Sequence, residues 1–341
     1  MLTERQKLIL GVIVDDYIRS AEPVGSRTIS KRGTVGFSPA TIRNEMSDLE
    51  ELGYLEQPHT SAGRIPSQKG YRYYVDHLLK HVELSDEVVR KLKAFFAERL
   101  NRLEDAMQQA AQIVARLTNY TAIVLGPEVF HAALRHLQIV PLNDRKAVAV
   151  IVTDTGHVEN RLVDIPEDMS ASDLEKAVNF LNAKLTGVPL FRFKTRLYSE
   201  IAAELSRYVS RYEELCRMIE DVLENDHADR VYLSGTTHML NQPEFRDVEK
   251  VRRVFDLLES TPELIRLMSP STEGIQVRIG EENSVEAINQ CSLITATYSV
   301  DGRIVGAIGV LGPTRMEYGR VIAFLERFSE EMARLLSQWY R

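Results

Sequence analysis

Thr41, Arg43, Asn44 and Ser47 lie within two turns of one another if the chain is helical there, and their side chains carry a recognisable chemistry. An Arg guanidinium matches the paired acceptors of guanine, an Asn amide matches adenine, and hydroxyls serve either. All four follow from the run Ser38-Pro39-Ala40-Thr41-Ile42-Arg43-Asn44-Glu45-Met46. Ser38 is an N-cap and Pro39 takes the first helical position, where its missing N–H costs nothing. At about 100° per residue, Ile42, Met46 and Leu49 point to a core. Ala40, Asn44, Ser47, Asp48 and Glu51 point the other way, with Thr41 and Arg43 on the flanks. A recognition helix reads base edges mainly with its N-terminal residues. Asp48 and Glu51 would repel phosphate, so the C-terminal half of this helix must rise out of the groove. A capped amphipathic helix also occurs in many helical domains, so this helix alone leaves DNA reading and plain packing both open.

The flanking segments must position it. Thr3 and Gln6 have capping-box spacing, and Leu8, Ile9, Val12 and Ile13 form one buried face of a first helix ending near Ser20. Pro23 and Gly25 mark a turn. Ser26 caps a second helix through Arg27, Thr28, Ile29 and Lys31, which Gly33 and Gly36 break. Gly53 is a left-handed C-cap for the third helix. Tyr54-Leu55 then reads as a strand, Pro58 to Gly63 as a turn, and Ile65 as the partner strand. Ser61, Ala62 and Gly63 are small enough for the backbone to approach a phosphate, and Arg64 sits at the tip of this wing. Between Gln57 and Asp76 the charged residues are Arg64, Lys69 and Arg72, all positive. Ser67 caps a further helix in which Tyr71, Tyr73 and Tyr74 read as packing residues. A helix–turn–helix followed by a wing reads double-stranded DNA. The candidate DNA contacts are Ser26, Arg27, Thr28, Ser38, Thr41, Arg43, Asn44, Ser47, Thr60, Ser61, Arg64, Lys69 and Arg72.

These residues carry a resemblance. Pro23-Val24-Gly25-Ser26, the Ser38–Met46 run, Leu49-Glu50, and His59-Thr60-Ser61-Ala62-Gly63-Arg64-Ile65-Pro66 through Gly70-Tyr71-Arg72 resemble the HrcA family, the heat-inducible transcription repressors of bacteria. Pro243-Glu244-Phe245, Ile279-Gly280 and Gly309-Val310-Leu311-Gly312-Pro313-Thr314-Arg315-Met316-Glu317-Tyr318 resemble the family's C-terminal region. The resemblance implies a repressor of chaperone and chaperonin operons that binds an inverted-repeat operator as a homodimer. It further implies a GAF-like central fold with an inserted dimerising domain, and modulation by the chaperonin.

Length and charge set bounds. A chain of 341 residues holds two or three domains. Its formal net charge is −7, yet residues 1–81 carry eleven Lys/Arg against ten Asp/Glu. The head is therefore only locally basic, and an acidic body sits away from DNA. Modest nonspecific affinity and reliance on dimer avidity follow. Cys216 and Cys291 lack disulfide or metal spacing and fit a reduced, cytoplasmic protein. Leu8 to Val14 is too short for a signal or membrane segment.

Behind the head, Val88, Leu92, Phe95, Phe96, Leu100 and Leu103 mark a helical connector, continued by Ile113, Val114 and Leu117. Strands are expected at Ala122–Leu125, Leu137–Val140, Ala147–Thr153, Val158–Val163, Ile275–Ile279, Leu293–Tyr298 and Ile304–Leu311. A last helix runs from Arg315 to Tyr340. The fold class is α+β: a winged helix over residues 1–80, a connector over 81–104, a GAF-like sheet domain over 105–165 and 229–341, and a helix-rich dimerising insertion over 166–228.

Enzyme chemistry is missing from the spacing. Gly302, Gly306, Gly309 and Gly312 lack the Lys-Ser/Thr of a phosphate loop, and Ser234-Gly235 lacks the frame of a nucleophile elbow. His77 and His81 stand four apart but have no third ligand. No catalytic residue, cofactor or metal is expected. One other class stays open, a metabolite-responsive winged-helix regulator with a ligand in the GAF-like domain. The nearly all-apolar strand Ala147–Val152 favours a packed core over such a pocket.

Overall fold

The chain opens with a helix whose first turn is closed reciprocally: the Thr3 hydroxyl accepts from Gln6 N at 3.2 Å and Gln6 Oε1 from Thr3 N at 3.0 Å. In this computed structural model the described residues are 2–32, 35–59, 62–80, 82–97, 103–126, 133–143, 145–154, 158–165, 169–188, 193–197, 201, 214–218, 231–269, 272–300 and 302–339. Helix α1 spans Glu4–Ser20 and stops at Ala21, which is left-handed at φ 57°. Its buried apolar face is Ile9, Leu10, Ile13 and Val14. That face is rotated from the expected one, since Leu8 is exposed and Val12 only half-buried.

Helix α2 spans Ser26–Lys31. Its N-cap is Gly25, whose carbonyl takes the N–H groups of Thr28 and Ile29 at 3.0 and 3.2 Å. Ser26 is therefore a buried first helical residue and not the cap. Helix α3 spans Pro39–Glu51; the Ser38 hydroxyl accepts from Thr41 N at 3.2 Å, and Ile42, Met46 and Leu49 are buried, as expected. It ends in a Schellman arrangement, with Tyr54 N on Leu49 O at 2.8 Å, Gly53 N on Glu50 O at 2.9 Å, and Gly53 at φ 78°. Strands β1 (Leu55–Glu56) and β2 (Ile65–Pro66) pair antiparallel. The pair Val24 and Arg64 adds a third edge, each donating its N–H to the other's carbonyl at 2.9 Å. Helix α4 spans Gln68–Tyr73, capped by Ser67, and widens into a π turn over Tyr74–Leu78.

The rest follows in order: α5 (Asp86–Ala97), α6 (Leu103–Thr118), β3 (Thr121–Leu125), β4 (Leu134–Pro141), β5 (Lys146–Thr153), β6 (Val158–Asp164), α7 (Ala171–Leu185), the short α8 (Phe193–Arg196), β7 (Val231–Ser234), α9 (Val248–Glu259), α10 (Thr261–Met268), β8 (Ile275–Ile279), β9 (Cys291–Val300), β10 (Arg303–Pro313) and α11 (Tyr318–Trp339). The expected strands are all present, their ends shifted by up to three residues. The expected residues Gly33, Leu100 and Tyr340, and most of Ser199–Leu223, lie outside the described residues.

Two compact units emerge. The first comprises Met1–Val124, Leu233–Tyr298 and Ala307–Arg341; the second Leu125–Tyr232 and Ser299–Gly306. A five-stranded sheet in the order β7-β3-β10-β9-β8 forms the centre of the body behind the head, and β8 pairs antiparallel with β9 from Ile275–Ala296 to Ile279–Ser292. Phe95 and Phe96 of α5 meet Phe328 of α11 at 6.1 and 5.2 Å between ring centres.

The second unit is wider than the segment 166–228 expected as an insertion. Strands β4, β5 and β6 form their own antiparallel sheet and do not join the five-stranded one. Helix α7 covers one face: Leu134, Leu137, Ala147, Ala149 and Ile151 share a core with Leu174, Ala177, Leu181 and Leu185. The Asn182 amide closes the arrangement, accepting from Leu137 N and donating to Leu137 O, both at 2.7 Å. Apolar strands need a cover, and the helix immediately after them supplies it. Cys216 is buried in this core, Cys291 in the first unit. Among the described residues no helix is long and apolar enough to cross a membrane.

Within the first unit the head is docked on the body by polar side chains. Gln68 donates to Asn289 O at 3.2 Å and accepts from Glu281 N at 2.9 Å. Gly280, at φ 58°, makes room for it, because a methyl group there would overlap the Gln68 amide. Arg72 donates through Nε to Glu282 at 2.8 Å and through Nη2 to Val277 O at 2.6 Å. Arg315 donates to Ile18 O at 2.8 Å while paired to Glu244 at 2.7 Å. Gly280→Ala combines left-handed strain with two lost hydrogen bonds and should cost about 2–3 kcal/mol in denaturant unfolding. Gln68→Ala added to it should cost less than its own single effect. Burial pushes the Glu282 carboxyl up, but bonds from Arg72 and Ile279 N hold it below its ordinary 4.5. Its contribution is present above pH 4.5 and lost as pH falls through the lower folded value. Glu282→Gln should flatten that part of the acid limb in a stability titration.

Candidate nucleic-acid interface

The expected recognition surface begins with what α3 leaves exposed. Ala40, Arg43, Asn44, Ser47, Asp48 and Glu51 are exposed, and Thr41 is half-buried. Its N-terminal turn is held by two hydroxyls: Ser38 and Thr41 are 2.9 Å apart, and Ser38 also caps the backbone. Ser38 thus orders the tip of the helix as well as presenting an exposed hydroxyl there. Arg27 and Thr28 are exposed on α2, whereas Ser26 is buried with its backbone at the helix start.

A cleft of about 520 Å³ opens between α2, α3 and the wing, lined by Ser26, Arg27, Arg43, Gln57, Gly63 and Arg64 among others. Three guanidinium groups thus converge from three separate elements. The wing is brought to this cleft by close backbone contact: at Gly63 any side chain would overlap the Val24 carbonyl. Gln57 supports the turn from within, donating to Ala62 O at 3.2 Å. Thr60 and Ser61 lie outside the described residues.

Three of the expected contacts are placed differently. Arg64 is not the wing tip but stands directly before β2, at the base of the wing, only 19% exposed and paired to Glu50 from Nε at 2.8 Å and Nη2 at 2.7 Å. Its backbone is the partner of Val24, which leaves no freedom to sit at the tip. Lys69 donates to Leu52 O at 2.8 Å and lies over the Tyr54 ring at 4.5 Å, so it closes the end of α3. Arg72 is committed to Glu282, Asp76 and Val277, bonds that hold its pKa well above the ordinary guanidinium value against the opposing effect of burial. The charge of Arg72 is spent inside the protein. Arg27 and Arg43 have no carboxylate partner among the described residues.

The tyrosines pack, as expected. Tyr71 is buried and its ring lies 5.9 Å from that of Tyr318, Tyr73 meets Tyr54 edge-on at 5.3 Å, and Tyr74 donates to Asp15 at 2.6 Å. Sequence spacing missed Gln57 as a member of the cleft and Glu50 as the partner of Arg64 beside it. Glu50 is fourteen residues from Arg64, and no local pattern joins the two. Among the described residues no cluster of His, Cys, Asp and Glu could hold a metal, and His81 lies outside them.

Comparisons with known proteins agree with this geometry. A family model described as the winged helix-turn-helix transcription repressor HrcA, DNA-binding, matches residues 1–77. One described as the HrcA protein C terminal domain matches residues 104–322. The chain is 56% identical over 340 residues to the heat-inducible transcription repressor HrcA of Brevibacillus brevis, covering 100% of this chain and 99% of that one. It is 50% identical over 341 residues to the protein of the same name from Halalkalibacterium halodurans, with the same coverage. A solved crystal structure of a hypothetical protein aligns with a TM-score of 0.65 at 25% identity, covering 99% of both chains.

The division of the arginines can be measured. Arg27→Ala and Arg43→Ala should each flatten the dependence of log K on log salt by about one unit if they meet phosphate. Arg43→Ala should cost about 1–3 kcal/mol on one preferred sequence alone if it reads a base. Arg72→Ala should leave the salt slope unchanged and lower the melting temperature. A reduced slope for Arg72→Ala in fluorescence anisotropy would return it to the DNA surface.

Proposed function

The chain belongs to the HrcA family of heat-inducible transcription repressors, and from that premise we propose that it represses chaperone and chaperonin operons by binding an inverted-repeat operator as a homodimer. It is a DNA-binding winged-helix repressor and not an enzyme. The observation that carries the proposal is the cleft where Arg27, Arg43 and Arg64 meet beside the exposed face of α3. In this reading α3 enters the major groove. Arg43, Asn44 and Ser47 face base edges there, with Thr41 and Ser38 at its tip. Arg27, Thr28 and Arg64 hold the backbone. Asp48 and Glu51, exposed on the later turns, keep that half of the helix away from phosphate.

A palindromic site requires a two-fold pair of readers. Residues 125–232 of the second unit are the proposed dimerising part, with a surface suited to it. On the sheet face away from α7, Val140, Val158 and Leu162 are exposed, and the register sets Val140 beside Val148 and Val148 beside Leu162. Apolar rows left open on a strand surface are features of association sites. The protein acts in the cytoplasm, where the chaperonin raises the fraction of repressor in its active fold. Falling free chaperonin during heat stress then releases the operons.

The experiment is fluorescence anisotropy with an inverted repeat from upstream of the host chaperonin operon and a scrambled duplex, over a salt series, with and without chaperonin. Preference for the repeat that persists as salt rises, and an active fraction that grows with chaperonin, are the expected results. Equal, salt-sensitive binding to both duplexes would sink the operator reading. A repressor that stays fully active after heating, with no response to chaperonin, would sink the modulation.

A further inference from the structure

We propose that Glu50 is a positioning residue that aims Arg64 at the DNA backbone; this rests on the reading of the cleft as the DNA site. Glu50 stands on the last turn of α3, on the side facing the wing. Its Oε2 receives both Nε and Nη2 of Arg64, at 2.8 and 2.7 Å. The Arg64 backbone is fixed independently by its two bonds to Val24 and by the Gly63 contact. An arginine side chain has four rotatable bonds and loses much of its freedom on binding unless something orders it beforehand. Here the root is pinned by the backbone and the head by the carboxylate. The guanidinium is then held in the cleft it shares with Arg27 and Arg43, with Nη1 outside the Glu50 pair.

The electrostatics alone argue the opposite effect. A carboxylate 32% exposed beside a DNA-facing cleft repels phosphate and neutralises one of the three converging charges. The two roles therefore predict opposite signs for the same substitution. Glu50→Gln removes the repulsion and keeps the shape. If Glu50 only repels, the variant binds every duplex more tightly. If Glu50 positions Arg64, the variant loses discrimination, because a phosphate contact that no longer waits in one place stops fixing the register of α3 on the bases.

The test measures the full-length protein on the inverted repeat and the scrambled duplex for Glu50→Gln, Arg64→Ala, Arg64→Lys and the Glu50→Gln/Arg64→Ala pair, with melting temperatures alongside. The expected result is a fall of about tenfold in the ratio of the two affinities for Glu50→Gln, and no further fall when it is added to Arg64→Ala. Arg64→Lys keeps the charge but not the forked pairing, so it should lose discrimination like Glu50→Gln; it covers the case in which that variant does not fold. Equal tightening on both duplexes, or effects of the two single changes that simply multiply, overturns the proposal. Arg43→Ala is the control: if it lowers the ratio while Glu50→Gln does not, positioning fails alone. If neither does, the reading of the cleft as the DNA site fails with it.

Discussion

A helix of six residues, Gln68–Tyr73, makes polar bonds in two directions, and the geometry of the reading head depends on it. Toward the head, Lys69 takes the Leu52 carbonyl, closing the end of α3, and the Ser67 hydroxyl that caps this helix donates to Gly53 O at 2.6 Å. Toward the body, Gln68 and Arg72 engage the Gly280 turn and Glu282. Tyr71 fills the space between them against Tyr318. A helix this short is marginal by itself, so its stability comes from what it is bonded to. The same few residues thus set where α3 ends and where the head sits on the five-stranded sheet.

Charge is divided by the same logic. Arg5 pairs with Glu45, Arg32 with Asp16, Arg64 with Glu50 and Arg72 with Glu282, while Arg27 and Arg43 face outward without such a partner among the described residues. Asp16 is nearly buried; burial raises its pKa, and Arg32 and Arg19 act against that rise. Pairing a buried charge prevents a large desolvation cost more than it adds net stability. The head therefore carries many cations yet offers few to a ligand.

The head was legible in the sequence wherever its signal is local. Thr3 with Gln6, Ser38 with Pro39, and Gly53 each declare a helix end within three residues, and the Ile42-Met46-Leu49 stripe declares its buried side. What escaped is what distance decides. Nothing near Arg72 indicates that Glu282 will claim it, and nothing near Arg64 indicates Glu50. Positive charge in a basic stretch looks the same paired or unpaired, so neither the loss of Arg72 to Glu282 nor the pairing that holds Arg64 beside the cleft shows in the sequence. The strand segments Leu134–Pro141, Lys146–Thr153 and Val158–Asp164 were also legible, but not their sheet. Alternation shows that a strand has a buried face and is silent on which helix will cover it. The cover comes from Ala171–Leu185, and the compact unit that holds both begins at Leu125.

The two cysteines carry a consequence for which stresses can reach this regulator. Both are buried, and burial pushes the Cys291 thiol up to about 12. At neutral pH its reactive thiolate is then scarce, and the thiolate is the form that peroxide attacks. An oxidant would have to wait for the core to open before it could write a mark on this side chain. Heat opens the core directly. Oxidation of these two cysteines therefore follows unfolding and does not precede it.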